Sequence, residues 1–182
     1  MKRFVFVSAV ILAVALLVGC SSLGPVSDIK DAESALIFGH IDLTDVGYNL
    51  ENVNVLKYKK IYYGGGTGAI GEPLRVYSNG SFFVENLDPG QYLLGGFTAG
   101  NILHWNSKST EKDVFTIKSG QIYYLGTFKY VTGKKAGFMS QGTFSLARSK
   151  TPSERELLQW LIEMTKGTTW EAKVRARLSK LK

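Results

Sequence analysis

One cysteine, two histidines and four prolines are all that these 182 residues hold of three residue types that commonly mark a chemistry or a chain class. A lone thiol excludes a disulfide scaffold and any cage of cysteines around zinc or an iron–sulfur cluster. With only His40 and His104 for imidazoles, and with neither H-E-x-x-H nor G-x-S-x-G present, a histidine metal centre or a standard hydrolase motif has no material. So few prolines exclude a proline-rich linker, whereas 45% apolar and 12% aromatic residues exclude disorder over most of the length. The leading apolar stretch, Phe4 to Val18, falls short of the roughly 20 residues that a bilayer-spanning helix needs. The formal charge is +7, but Lys2 and Arg3 precede that stretch and Lys173, Arg175, Arg177, Lys180 and Lys182 crowd the last turns, so the basicity is local rather than general.

Met1-Lys2-Arg3 followed by an apolar run reads as a signal peptide rather than a spanning helix. The run ends in Leu17-Val18-Gly19-Cys20, which resembles the lipobox of bacterial lipoproteins. The resemblance implies that Cys20 takes a diacylglyceryl group, that a lipoprotein signal peptidase cuts before it, and that the new amine is acylated by a chain such as palmitate. One acyl chain gives only marginal membrane binding, whereas three hold a protein firmly. An ordinary secretory signal would instead leave an odd cysteine in an oxidising compartment. Ser21, rather than Asp, after the cysteine implies by the same resemblance a place in the outer membrane of a two-membrane bacterium, facing the periplasm. Export takes the basic tail out of reach of most nucleic acid, and it is expected to be a solvated helix face; contact with anionic headgroups is the competing reading.

The expected organisation is a lipoprotein signal peptide over 1–19, a lipidated cysteine and flexible tether over 20–33, a β-sandwich over 34–148, and a two-helix tail over 151–182 docked on it. The tether, small and polar in composition, would reach about 20 Å. From Ala35 to Leu146, short segments rich in Val, Ile, Phe and Tyr alternate with Gly, Asn-Gly and Pro-Gly signals, the grammar of an antiparallel β-sandwich. The strands expected are Ala35–Leu43, Val53–Tyr63, Leu74–Tyr77, Ser81–Asn86, Gln91–Phe97, Val114–Ile117, Gln121–Tyr130 and Gly137–Leu146. Asn79-Gly80 suits a type I′ hairpin turn with positive φ at both residues, and Asp88-Pro89-Gly90 a tight turn. Beyond Lys150 the period becomes helical. Thr151-Pro152-Ser153-Glu154 and Thr168-Thr169-Trp170-Glu171 both have the form of a capping box, the first with proline at the first helical position. Leu157, Leu158, Trp160, Leu161, Ile162 and Met164 spread over an arc of roughly 200°, wide enough to require two covering partners. Trp170, Val174, Leu178 and Leu181 form a single stripe that supplies one of them.

Gly80-Ser81-Phe82-Phe83-Val84-Glu85-Asn86-Leu87-Asp88-Pro89-Gly90-Gln91-Tyr92 resembles the G-x-F-x-V-x-x-L-x-P-G-x-Y signature of carboxypeptidase regulatory-like domains, which are prealbumin-like β-sandwiches. Gly39-His40-Ile41 and Val53-Asn54-Val55 are similar to the same family's opening strands. The resemblance implies an accessory module for folding, binding or assembly with no catalytic set, and Phe82 and Val84 on one inward face make sense of it at period two. The glycine-rich insert at 64–71 and the helical tail depart from the generic domain.

Gly66-Thr67-Gly68-Ala69-Ile70-Gly71 matches G-x-G-x-x-G, but Gly71-Glu72-Pro73 leads into a strand, not the helix a dinucleotide needs. The stretch from Gly64 to Gly71 therefore reads as a mobile loop between strands, with a binding role open to it. The carboxylates Asp42, Asp45, Glu85, Asp88 and Glu111 fall at turns and strand ends, where solvation is their default. No enzyme activity, metal or cofactor is expected. The ligand-binding candidates are aromatic: Tyr62 and Tyr63 before the glycine segment, and His104 with Trp105 in a loop. Tyr58, Tyr123, Tyr124 and Tyr130 accompany them on strands whose alternate members face outward. The leading expectation is a membrane-anchored, non-catalytic module that binds an envelope protein partner; the alternative is a saccharide or peptidoglycan-binding module that uses exposed aromatics.

Overall fold

In a computed structural model, which describes residues 25–61, 64–69, 74–100, 103–106, 113–134 and 143–181, β-branched and aromatic segments form β1 (Ala35–Asp42), β2 (Leu50–Ile61), β3 (Gly64–Ala69), β4 (Arg75–Val76), β5 (Ser81–Leu87), β6 (Gly90–Ala99), β7 (Leu103–Asn106), β8 (Phe115–Ile117), β9 (Ile122–Thr132) and β10 (Phe144–Ser149). Two helices follow, α1 (Glu154–Met164) and α2 (Thr169–Ser179). Among the described residues, one five-stranded sheet has the order β10-β9-β1-β5-β4. The other runs β3-β2-β6-β7, with β8 also paired to β6. The pairs are antiparallel except β1 with β9. The chain is mainly β, sandwich-like, and ends in a helical hairpin.

β1 is buried on both faces, and its alternation shows why. Ala35, Ile37 and Ile41 join Phe82, Val84, Val53, Val55 and Phe97 between the sheets. Leu36 and Phe38 point the other way and join Phe83 and Ile122 beneath Leu157, Leu158, Leu161, Ile162, Trp170 and Val174. Three layers result: helices, first sheet, second sheet. On the second sheet, Asn52 and Asn54 alternate outward, exposed to solvent, while Val53 and Val55 enter the core. Burying each Leu- or Phe-sized side chain is worth roughly 1.5–3 kcal/mol, so the helix layer is held by a core of its own.

Several local expectations change. Gly64–Ala69 is not a loop but β3, registered from Ile61↔Gly64 to Leu56↔Ala69; ladder hydrogen bonds come from the backbone and need no side chain. Leu103–Asn106, expected as a loop around His104 and Trp105, is β7, held to β6 through Phe97↔Trp105 and Thr98↔His104. Gly80 has φ 87° while Asn79 has no positive φ. The turn is thus a three-residue loop with glycine in the left-handed position, closed by Gly80 N to Tyr77 O at 2.9 Å, and the Asn79 side chain accepts from Ser81 N at 3.0 Å. A Cβ on Gly80 would run into the Ile41 carbonyl. Asp88-Pro89 carries the chain from β5 across to β6 in the other sheet. The segment expected over Gly137–Leu146 appears as Phe144–Ser149, with 137–142 outside the described residues.

The helix starts also differ. Ser153, not Thr151, caps α1 in a reciprocal box with Glu156, and Pro152 lies before the helix. Thr168 makes no side-chain cap on α2. Asp28 supplies it from across the chain, accepting from Thr169 N at 2.7 Å and Thr169 Oγ1 at 2.8 Å. That contact belongs to a second departure: residues 25–33 are not a free tether. Arg75 Nη2 donates to Pro25 O at 2.8 Å, Ser27 N to Glu85 Oε1 at 3.2 Å, and Lys30 N to Asn86 Oδ1 at 2.9 Å. Val26 and Ile29 pack against the helix-layer core. Polar composition points to freedom, but Pro25, Ser27, Asp28, Ile29 and Lys30 each reach a partner on β4, β5 or α2.

Candidate functional site

Two aromatic ladders tie the sheets together along one flank. In the first, Tyr92 of β6 stacks on Phe115 of β8 at 6.4 Å between centroids, and Phe115 on Tyr123 of β9 at 5.0 Å. In the second, Trp105 of β7 lies 6.0 Å from Phe97 of β6, Phe97 6.0 Å from Phe144 of β10, and Phe144 5.0 Å from Tyr130 of β9. Between these ladders the sheets part around a cavity of about 510 Å³. Leu94, Trp105, Val114, Phe115, Tyr123, Leu125, Phe128 and Leu146 line it, and Asp113 and Arg148 stand at its exposed rim. That volume lies inside the ~300–1,000 Å³ range of ligand pockets, in which aromatic and aliphatic side chains commonly predominate.

Arg148 is fixed rather than waving in solvent. Its Nη1 donates to the Leu125 carbonyl at 2.6 Å, and its guanidinium lies over the Phe128 ring at 4.4 Å. The approach is so close that a Cβ on Gly126, at φ 129°, would collide with Nη1. Glycine there is what lets β9 receive the arginine. Burial pushes the Tyr123 hydroxyl above its usual pKa, while the charge of Arg148 pulls it back down. A smaller cavity of about 270 Å³ lies beside Tyr48, Asn49 and Asn79.

The residues expected to bind ligand are divided by this geometry. Trp105 is half-buried on the cavity wall. His104, one position away, alternates to the opposite face of β7 and is exposed. Cys20, Tyr62, Tyr63 and Glu111 lie outside the described residues. Tyr123 faces the cavity, Tyr130 is buried in the main core, and Tyr124 stacks on Phe38 at 5.3 Å under the helices. Arg148 is a cavity residue that the sequence expectations do not include. The only sequence signal for it is the alternation Phe144, Leu146, Arg148, which places an arginine at the end of an inward-facing row.

The carboxylates expected at turns and strand ends have partners within the fold, except Glu111, which lies outside the described residues. Asp42 accepts from Thr44 Oγ1 at 2.6 Å and Thr44 N at 3.0 Å, bonds that hold its carboxyl below the usual range. Asp45 pairs with Lys129 at 3.1 Å and Asp88 with Lys57 at 3.5 Å. Glu85 receives Arg75 through Nε at 2.9 Å and Nη2 at 2.6 Å, both residues buried. His40 is buried on β1 with Nδ1 3.2 Å from Ser81 Oγ, and burial depresses its pKa. Among the described residues no group of three or more His, Cys, Asp and Glu could hold a metal ion, and no helix is long and apolar enough to cross a membrane.

No family model and no curated protein matches the sequence. A solved crystal structure of a DUF3823 family protein from Parabacteroides merdae aligns with 65% of this chain at 15% identity and a TM-score of 0.27. This chain spans 60% of that one. A likeness of that degree assigns neither fold nor function.

Proposed function

We propose that this chain is a lipid-anchored, non-catalytic binding module of the bacterial cell envelope, held in the outer membrane through Cys20 with its sandwich in the periplasm, and that it binds through the cavity between the aromatic ladders. The observation that carries the reading is that cavity: lined mainly by aromatic and aliphatic side chains, open to solvent, and edged by an immobilised arginine. The Leu17-Val18-Gly19-Cys20 junction supports the anchor, and the Gly80 to Tyr92 signature supports a carboxypeptidase regulatory-like, prealbumin-like accessory module. The structural partners of Asp42, Asp45, Glu85 and Asp88 support a binding rather than a reacting role for the chain. A saccharide platform would need exposed, coplanar aromatics. Among the phenylalanines, tyrosines and tryptophans of the described residues Tyr48 is the most open to solvent, at 37% exposure, and no row of such rings flanks it.

The test is photo-crosslinking in intact cells with a photoreactive residue at Leu146 in the cavity or at Asn52 on the opposite sheet, followed by envelope fractionation. The reading predicts adducts from position 146 and few from 52, in outer-membrane fractions that Cys20→Ser abolishes. Equal labelling from both positions would overturn the binding face. Unchanged fractionation of Cys20→Ser would overturn the anchor.

A further inference from the structure

The wall and the rim of the cavity ask for different halves of one ligand. Leu94, Trp105, Phe115, Leu125, Phe128 and Leu146 offer hydrocarbon and ring faces. Arg148 offers a guanidinium whose position is set by the Leu125 carbonyl and the Phe128 ring. Among the described residues it forms no ion pair, and with Nη1 committed to Leu125 its Nε and Nη2 donors remain to be used. We infer that the cavity binds a single-chain amphiphile with one carboxylate head, the apolar body lying between the aromatic ladders and the carboxylate on Arg148; this rests on the cavity being the binding site.

Three observations favour that chemistry. A guanidinium held in place has already lost the freedom that binding would otherwise remove, and its planar fork matches a carboxylate. A neutral hydrocarbon would leave Arg148 unused, and a cationic head would be repelled by it. Asp113, on the same rim and already engaged in an interaction of its own, penalises a doubly charged head more than a singly charged one, which favours a carboxylate over a phosphate dianion. Gly126 belongs to the same device, because any side chain there would push Arg148 off the Leu125 carbonyl.

The experiment uses the full chain in phosphatidylcholine nanodiscs and two photoreactive probes of equal length, a diazirine fatty acid and the corresponding diazirine fatty alcohol, with adducts mapped by mass spectrometry. The inference predicts fatty-acid adducts within 114–128 and 144–148. Losing a hydrogen bond to a charged group weakens binding by about tenfold to a hundredfold, so Arg148→Met and Gly126→Ala should each cut fatty-acid labelling by about that factor. Arg148→Lys should retain part of it, Lys150→Met should leave it unchanged, and the alcohol should label weakly in all of them. Equal labelling by acid and alcohol, insensitive to Arg148→Met, would overturn the carboxylate assignment while leaving the cavity as a binding site. Labelling by neither probe would overturn the inference outright, and the in-cell crosslinks from position 146 would then judge the binding reading separately. Circular dichroism of each variant separates lost binding from lost folding, and the retained labelling of Arg148→Lys keeps the test decisive if Arg148→Met unfolds.

Discussion

His40 is a neutral group in a place where a charge would be costly. Burial lowers its pKa from the ordinary value near 6.5, outweighing the raising influence of the Asp42 carboxylate. Because the folded state resists a proton that the unfolded chain accepts, this contribution to stability is complete above the unfolded pKa and is lost as the pH falls through it toward the folded value. Chemical denaturation between pH 7.5 and 5 should therefore show stability declining for the wild type and a shallower decline for His40→Gln. A slope unaltered by the substitution would contradict the buried neutral imidazole. Single residues also mark how far sequence reading reached. Trp105 could be singled out because an aromatic beside a histidine on a polar stretch stands out. Arg148 could not, because its role comes from Gly126 on a neighbouring strand and from the Leu125 carbonyl, neither of which a linear pattern relates to it.

At the scale of elements, strands with apolar alternation and helices with capping chemistry were legible, whereas edges were not. β3 has four glycines among its six residues, and β7 is four residues long. Both exist because a neighbouring strand offers hydrogen bonds in register, a reason that local propensity does not contain. The order in segment 25–33 has a similar cause. Its ordering depends on Arg75 and Glu85, buried side chains on β4 and β5 that meet its backbone. Breaking a buried pair by removing one charge costs about 3–5 kcal/mol, while replacing both partners with apolar residues costs far less. Glu85→Gln should thus destabilise by that order and free residues 25–33 for proteolysis. Arg75→Met with Glu85→Leu should restore much of the stability but not the protection of 25–33, since both Pro25 O and Ser27 N lose their partners. Protection that survives in the double variant would show that Val26, Ile29 and Asp28 hold the segment without the ion pair.

For the whole molecule, the hairpin decides which surface is free to bind. A helix with a wide apolar arc is an interaction surface if it stands open and a structural layer if it is covered. Here Leu157, Leu158, Leu161 and Ile162 lie between Trp170 and Val174 on one side and Leu36, Phe38, Phe83 and Ile122 on the other. Asp28 ties the start of α2 back to the segment before β1, and Arg177 ties α2 to α1 through Glu154 at 2.8 Å. With that face covered, the cavity between β9, β10 and the second sheet is, among the described residues, a place where aromatic and aliphatic side chains still open to solvent. The mainly β sandwich with a helical hairpin could be read from period changes alone; the splaying of the sheets could not, because it depends on which strands share an edge. The most direct measurement is amide hydrogen exchange on the Cys20→Ser chain in solution without membranes. Slow exchange through 154–179 and 35–41, with faster exchange at 113–117 and 144–149 around the open cavity, is the predicted result. Fast exchange throughout 152–181 would contradict it, returning the hairpin to solvent or membrane and making its apolar arc, rather than the cavity, the binding surface.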